Sequence, residues 1–258
     1  MLYGISEISV IPVRKENSEQ SEMLTQVLFG DTFQIIEENK DWTYIKIIAD
    51  NYEGWVNSNS ITKITDEDFE EINKNDIYIT KNIFEDILLT NSDDVIRIPF
   101  GSALPNFNKS NNTFVINNNK YELISDSQLE GNNNIIDLAK QFVNSPYLWG
   151  GKNPFGIDCS GLTQLIYKAL GEYMPRDASQ QVNIGETINF ITDTQAGDLA
   201  FFDNDEGLIT HVGIVLEQNE IIHSSIKVRI DSLDQQGIYN KDLKKYTHKL
   251  RVIKRIIN

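Results

Sequence analysis

Short apolar runs separated by turn residues fill the first 65 positions of the chain. Residues 32–36 and 42–47 alternate apolar and polar side chains, and turns at residues 30–31 and 39–41 separate them from their neighbours. Strands this short, with breaks this frequent, predict a small barrel rather than an open sheet. We therefore place a first all-β domain at residues 1–65.

The same alternation recurs after an acidic segment, residues 66–71, that is typical of a linker or a short helix. Apolar runs at residues 77–79, 96–99, 113–116 and 121–123 are separated by turns such as Asn117-Asn118-Asn119. We predict a second, degenerate barrel that occupies residues 66–125 together with the linker.

The pattern changes near residue 131, and we assign residues 126–258 to a third domain. Apolar positions at helical spacing predict one helix over residues 135–143 and a second that begins near Cys159 and stops at Gly171. Strand-like runs follow at residues 197–202, 211–216, 221–224 and 227–230. Helices followed by an antiparallel sheet predict an α+β fold.

Charge and composition exclude several classes of partner. The 258 residues hold 23 basic and 38 acidic side chains, a formal net charge of −15, which would repel a nucleic acid or an anionic membrane. No apolar run reaches the roughly 18 residues of a membrane span. The first residues lack the basic and apolar regions of a secretory signal, so we expect a cytoplasmic protein.

The single cysteine, Cys159, lies where the second helix is predicted to begin. Unpaired N–H groups and the helix dipole at that end favour the thiolate, which is the nucleophilic form. Most lone cysteines are instead small buried apolar residues. Composition alone leaves both interpretations open.

Two of the three histidines, His211 and His223, fall on predicted strands of the same domain. A cysteine nucleophile needs an imidazole base, and that base needs an orienting partner at its other ring nitrogen. Each histidine could also be an ordinary hydrogen-bonded residue, and Cys159 with both histidines could supply three zinc ligands. No C-x-x-C or H-E-x-x-H spacing supports a metal site. The third histidine, His248, lies in a basic segment and is predicted to be at the surface.

The register between the two predicted strands decides whether His211 and His223 can lie in one site. His211 shares its face of the strand with Gly213, so His223 joins the same site only if its cross-strand partner is odd-numbered. A three-residue loop over residues 217–219 would place His223 opposite Gly213, where the missing side chain leaves room for two rings.

Six sequence blocks carry a family resemblance: residues 146–151 (PYLWGG), 158–161 (DCSG), 175–181 (PRDASQQ), 197–202 (GDLAFF), 211–214 (HVGI) and 222–224 (IHS). In this order they resemble the NlpC/P60 cysteine peptidases, which cut bacterial cell-wall peptides, and the resemblance covers residues 131–258. Residues 28–31, 41–45 and 54–56 resemble strand landmarks of bacterial SH3-like (SH3b) domains. Together the two are most similar to γ-D-glutamyl-L-diamino acid endopeptidases of the dipeptidyl-peptidase VI type.

The resemblance implies a papain-like NlpC/P60 domain preceded by two SH3b-like barrels, with no cofactor and no metal. It implies that Cys159 is the nucleophile, His211 the base and His223 the residue that orients it, with Tyr147 beside the oxyanion site. It also implies release of L-Ala-γ-D-Glu from murein peptides with a free N-terminal L-Ala, in cell-wall recycling.

Recognition of the ammonium group is implied for four further residues. Asp158 and Ser160 flank the cysteine, and Glu22 and Tyr52 come by a looser match from the first SH3b domain. A carboxylate in a partly desolvated pocket is the natural partner of an ammonium group. Asp158 could instead serve only as a helix cap.

Two details of the family pattern and two alternative functions stay open. Ala178 stands where relatives often carry Ser, and we expect Arg176 and Asp177 to form an ion pair that braces their loop. The alternatives are a cell-wall-peptide binding protein without turnover and an amidase or acyltransferase on the same fold. The sequence does not distinguish diaminopimelate from lysine as the diamino acid.

Overall fold

The computed structural model describes residues 1–74, 77–125, 134–217 and 219–257. The chain folds into two compact units, Met1–Asn132 and Asn133–Asn258. The predicted boundary between residues 125 and 126 lies outside the described residues. Within the described ranges, no helix is both long and apolar enough to cross a membrane.

The first part of the N-terminal unit is an antiparallel sheet with the strand order β3-β2-β6-β5-β4-β1-β7. Its strands alternate buried and exposed side chains, so one face supplies a core that includes Val13, Phe33, Ile45 and Val56. The strands within residues 1–74 are β1 (Leu2–Ile5), β2 (Val10–Arg14), β3 (Met23–Leu28), β4 (Thr32–Asn39), β5 (Trp42–Ile47), β6 (Glu53–Asn57) and β7 (Thr62–Ile64).

The rest of this unit begins with helix α1 (Asp66–Lys74), in the acidic segment where a linker or short helix was predicted. Two small antiparallel sheets follow, with orders β10-β9-β13-β12 and β11-β8. The sequence pattern missed β9 and β11. The strands are β8 (Tyr78–Ile79), β9 (Phe84–Leu89), β10 (Asp94–Pro99), β11 (Ala103–Leu104), β12 (Thr113–Ile116) and β13 (Asn119–Leu123).

One hydrophobic cluster joins both parts of the N-terminal unit. Phe29 from the first sheet packs edge-on against Phe114 and Tyr121, with ring centroids 6.0 and 5.5 Å apart. Ile5 and Ile64 belong to the same cluster. The shared core packs residues 1–74 and 77–125 into one body, and the division of this unit at residue 65 stays a prediction.

The C-terminal unit places its helices before its main sheet, as the α+β prediction requires. Helix α2 (Ile135–Lys140) is shorter than predicted, because the chain turns after Lys140 and Asn144 adopts a positive φ of 73°. Strands β14 (Lys152–Asn153) and β15 (Gly156–Ile157) form a small hairpin. Helix α3 (Cys159–Ala169) follows, and Gly171, at φ 91°, ends it as predicted. Helix α4 (Ala178–Gln181) comes next.

The sheet of this unit closes into a barrel through its last strand. Strand β22 pairs with β21 through its first half and with β17 and β16 through its second half, so β22, β17, β18, β19, β20 and β21 form a closed ring. Helix α3 packs on β18 and β19. In residues 186–255 the strands are β16 (Glu186–Ile188), β17 (Leu199–Asp203), β18 (Ile209–Val215), β19 (Glu220–Ser225), β20 (Lys227–Asp234), β21 (Gly237–Asn240) and β22 (Lys245–Arg255).

Candidate active site

Cys159 is the first residue of α3, and its thiol faces the barrel. The backbone N–H of Val212, on β18, donates a hydrogen bond to the Cys159 sulfur, and the N–H of Ser160 does the same from within the helix. Cys159 is buried. The Val212 contact brings the sulfur beside the strand position of His211.

Asp158 caps this helix and carries a buried ion pair. Its Oδ1 accepts the Gly161 N–H at 2.7 Å, and its Oδ2 accepts the Gly150 N–H at 2.9 Å. Arg176 donates to both oxygens at 3.0 and 2.6 Å, and also donates to the Ser160 hydroxyl at 2.9 Å. Arg176 is 1% exposed. The guanidinium thus fixes both residues that flank the cysteine, a role that the sequence analysis did not assign to it.

His211, His223 and Asp231 form a hydrogen-bonded chain across three adjacent strands. His211 Nε2 lies 2.9 Å from His223 Nδ1, and His223 Nε2 lies 3.1 Å from Asp231 Oδ2. Arg229 donates to the Asp231 carboxylate at 2.6 and 2.9 Å. His211, His223 and Asp231 are all buried. The third member, Asp231, was missed because the sequence analysis ended its strand at residue 230.

The strand register confirms the predicted pairing of the histidines. Ile214 pairs with Ile222, Val215 pairs with Ile221, and the Leu216 N–H donates to the Glu220 carbonyl at 2.7 Å. This register places His223 opposite Gly213. A Cβ at Gly213 would lie 2.9 Å from the His223 Cβ, so glycine makes the space that the two rings share. The middle of the connecting loop, residue 218, lies outside the described residues.

Burial disfavours the charged forms of Cys159 and His211. Desolvation, with a smaller contribution from the Asp158 charge, raises the pKa of the Cys159 thiol to about 12, despite the opposing Val212 N–H. Desolvation is the largest cause that holds the pKa of His211 well below its ordinary value, and the charges of His248 and His223 lower it further. The expectation that the helix end favours a resting thiolate is therefore wrong, because desolvation outweighs the donors at the helix terminus.

Tyr147 lies on the approach to the cysteine. Its N–H donates to the Ile226 carbonyl at 2.9 Å, which ties it to the turn between β19 and β20. Burial, with the neighbouring Cys159 and Asp158, raises the pKa of its phenol to about 12. The hydroxyl therefore stays protonated and able to donate. The predicted position near the oxyanion site is compatible with these neighbours, and the role stays a prediction.

Glu22 and Tyr52 lie in the N-terminal unit. Glu22 is exposed and pairs with Lys15 at 3.4 Å between two exposed side chains. Tyr52 packs against the core of the first sheet, and its N–H donates to the Asp50 carboxylate at 3.0 Å. Their predicted contact with substrate stays a prediction.

His248 is not the surface residue that the sequence analysis expected. Its ring is half-buried and stacks on His211, with centroids 4.1 Å apart and an interplanar angle of 23°. Burial, together with the nearby His223, lowers the pKa of His248 to about 4. The sequence indicates a basic C-terminal strand region around His248 but not the strands with which it pairs, so no sequence signal links His248 to the other histidines.

In the part of the chain that the structure describes, the three histidines are also a group that could hold a metal ion. One ligand atom from each of His211, His223 and His248 lies within 4.8 Å of the others. An imidazole binds a metal through a lone pair in its ring plane. Since the rings of His211 and His248 are stacked nearly parallel, those lone pairs do not converge on one point. The arrangement fits proton transfer better than metal binding.

A buried cysteine at a helix start beside a histidine chain is the arrangement that nucleophilic hydrolysis by a thiol requires. The family model described as the NlpC/P60 family matches residues 144–249, and the model described as the bacterial dipeptidyl-peptidase Sh3 domain matches residues 13–61. These matches contain the helix, the histidine strands and most of the first sheet.

Two curated relatives match along most of the chain. The γ-D-glutamyl-L-lysine dipeptidyl-peptidase of Bacillus subtilis is 30% identical over 85% of this chain and 78% of its own length. The dipeptidyl-peptidase 6 of Lysinibacillus sphaericus is 30% identical over 86% of this chain and 89% of its own length. The chain belongs to the NlpC/P60 family of peptidases, with an N-terminal SH3-like domain.

A solved structure shows the same fold over the whole chain. The crystal structure of an NlpC/P60 family protein from Bacillus cereus superimposes with a TM-score of 0.83, at 19% identity, and covers 99% of this chain and 100% of that one. The predicted fold class, an α+β NlpC/P60 domain preceded by SH3-like β-structure, is confirmed.

Proposed function

We propose that the protein is a cysteine endopeptidase that cuts the γ-D-glutamyl–L-diamino acid bond of cell-wall peptides with a free N-terminal L-Ala. The observation that carries the proposal is the hydrogen-bonded chain His211–His223–Asp231 beside the buried Cys159. The name of the Bacillus subtilis relative, γ-D-glutamyl-L-lysine dipeptidyl-peptidase, supports this choice of bond.

The hydrogen-bond chain sets the tautomers needed for a base. An ionised carboxylate only accepts, so Asp231 requires a proton on His223 Nε2. His223 Nδ1 is then an acceptor and receives the Nε2–H of His211. This leaves His211 Nδ1 unprotonated, with a lone pair that can take the thiol proton.

Acylation then transfers one proton and exchanges one bond. His211 Nδ1 takes the Cys159 proton as the sulfur attacks the γ-carbonyl of D-Glu, and the imidazolium next protonates the leaving amine of the diamino acid. The C–N bond breaks and a thioester to L-Ala-γ-D-Glu remains. Water, deprotonated by the same imidazole, hydrolyses the thioester and releases the dipeptide.

Two donors are proposed for the developing oxyanion. One is the backbone N–H of Cys159, at the start of α3, because the next three N–H groups, of Ser160, Gly161 and Leu162, already donate to the Cys159 sulfur and to Asp158. Tyr147 keeps its phenolic proton, because burial and the neighbouring Cys159 raise its pKa. Both would strengthen as negative charge forms on the carbonyl oxygen.

The residues proposed to recognise the substrate ammonium group act in different ways. Asp158 already accepts from Gly150, Gly161 and Arg176, so we propose that it acts through its charge and through the position it gives Ser160. We propose direct contacts from Glu22 and Tyr52. The Glu22–Lys15 pair joins exposed side chains, and such pairs contribute at most about 1 kcal/mol, so an ammonium group can displace the lysine.

A requirement for free N-terminal L-Ala limits where the reaction can occur. In intact wall the L-Ala nitrogen is acylated, so the substrate must first be released by a hydrolase that cleaves that amide. We propose that the protein acts in murein peptide recycling, on soluble fragments rather than on sacculi.

The decisive experiment compares L-Ala-γ-D-Glu-L-Lys with its N-acetyl form by mass spectrometry. We expect release of L-Ala-γ-D-Glu from the free peptide, and a loss of kcat/KM for the blocked one equivalent to about 1.5–3 kcal/mol, because acetylation removes the charged N–H donors that the proposed carboxylates would bind. The meso-diaminopimelate peptide tests the diamino acid. Equal kcat/KM for free and blocked peptides would refute the amine requirement.

A further inference from the structure

The position of His248 is built by the backbone of β22. Ile238 pairs with His248 while Tyr239 pairs with Tyr246, so the residue between, Thr247, bulges out of the ladder with β21. On the other side the register with β17 shifts between Phe201 and Phe202. A bulge bends its strand and re-aims a side chain, and these two irregularities flank His248.

His248 contacts every ring of the site. Its ring stacks on His211 at 4.1 Å and meets His223 edge-on at 5.6 Å and Phe202 at 5.9 Å. Thr247 Oγ1 lies 2.9 Å from His248 Nδ1. This hydrogen bond fixes one edge of the His248 ring.

The stacking contact restrains a rotation of the His211 ring that the hydrogen-bond chain alone would allow. The bond from His211 Nε2 to His223 holds one edge of the ring, but rotation about that bond would still swing Nδ1 away from Cys159. A neighbouring ring against the flat face of His211 prevents this rotation. Phe202 contacts the same ring at 5.7 Å with a tilt of 44°, so His248 supplies the parallel face.

We infer that His248 is a positioning residue that holds the His211 ring with Nδ1 directed at Cys159. This inference rests on the proposed cysteine mechanism. The role belongs to the flat ring, which neither transfers a proton nor binds a metal. An aromatic carbocycle can therefore replace it, whereas a small side chain cannot.

The test compares His248→Ala with His248→Phe on L-Ala-γ-D-Glu-L-Lys, with Lys249→Ala as the matched control on the exposed face of the same strand. For His248→Ala we expect kcat to fall about 10- to 100-fold with little change in KM, since a displacement of about 1 Å at the reacting groups can lower the rate 100-fold. His248→Phe should restore most of kcat, and Lys249→Ala should behave as wild type.

A second measurement separates this inference from the proposed function. Alkylation of Cys159 by iodoacetamide reports the thiol–imidazole pair without substrate, and it should slow in His248→Ala and recover in His248→Phe. Wild-type turnover and alkylation in His248→Ala would overturn the inference while leaving the cysteine mechanism intact. Failure of His248→Phe to recover would overturn it too, as would Zn²⁺ bound in a one-to-one ratio by the wild type and lost in His248→Ala. Turnover by Cys159→Ala would instead refute the proposed function.

Discussion

Replacing His223 by alanine removes the group that orients the base in the proposed mechanism, while it leaves Cys159 and His211 in place. His211 Nε2 donates to His223 Nδ1 at 2.9 Å, and both rings are buried, so the variant loses the fixed acceptor that orients the His211 ring. We therefore expect a large loss of kcat with residual activity, rather than complete inactivation.

The magnitude follows from the charge on His211 during the reaction. A buried donor left without an acceptor costs about 1–3 kcal/mol, and the bond strengthens when His211 becomes an imidazolium in the transition state. If about 1.5–3 kcal/mol of this is specific to the transition state, kcat falls about 10- to 200-fold. KM should change little, because His223 is 1% exposed and does not reach substrate.

His223→Asn supplies the matched control. Its side-chain carbonyl can accept the His211 Nε2–H near the position of the imidazole nitrogen, so steady-state kinetics should show kcat above that of His223→Ala. Far-ultraviolet circular dichroism checks that both variants fold. Wild-type kcat in His223→Ala, or no difference between the folded variants, would refute the orientation argument.

Three further predictions concern charge, space and pH. Arg176→Met should destabilise the fold by about 3–5 kcal/mol in urea unfolding, since it leaves Asp158 as an uncompensated buried charge, and adding Asp158→Asn should recover much of that loss; independent, additive losses would contradict the pairing. Gly213→Ala should lower kcat and destabilise by about 1–3 kcal/mol, because its Cβ would crowd the His223 Cβ at 2.9 Å, and an unchanged enzyme would disprove the contact. His248 has its pKa lowered from 6.5 to about 4, so the unfolded chain binds more protons between these values and the free energy of unfolding should fall as pH drops through them. His248→Phe should flatten that slope, and an equal slope in both proteins would refute the burial argument.

Local sequence patterns predicted those parts of the structure that depend on residues close together in the chain. The helix that carries Cys159 follows from apolar spacing, the Asp158 cap and the Gly171 stop. The alternation of side chains along a strand, together with a short loop, predicts that His211 and His223 lie on the same face of the sheet, and the register confirms it. In both cases the chain is so short between the interacting residues that geometry leaves few choices.

Residues brought together by long-range pairing were missed. His248 reaches the site because β22 pairs with both β21 and β17, a closure that no local pattern encodes. The signal for Asp231 was weak. His223 pairs with Arg229, and Asp231, two residues further along the strand, lies on the same face as Arg229. The pKa of Cys159 was misjudged because desolvation depends on the packing around the thiol.

The central claim is that the Cys159 thiol forms a covalent bond to the γ-glutamyl carbonyl. Intact-protein mass spectrometry of acid-quenched enzyme during turnover of an L-Ala-γ-D-Glu anilide tests it most directly. The account predicts a mass gain equal to L-Ala-γ-D-Glu minus water, located on the peptide that contains Cys159 and absent from Cys159→Ala. Turnover by Cys159→Ala, or an adduct on another residue, would contradict it.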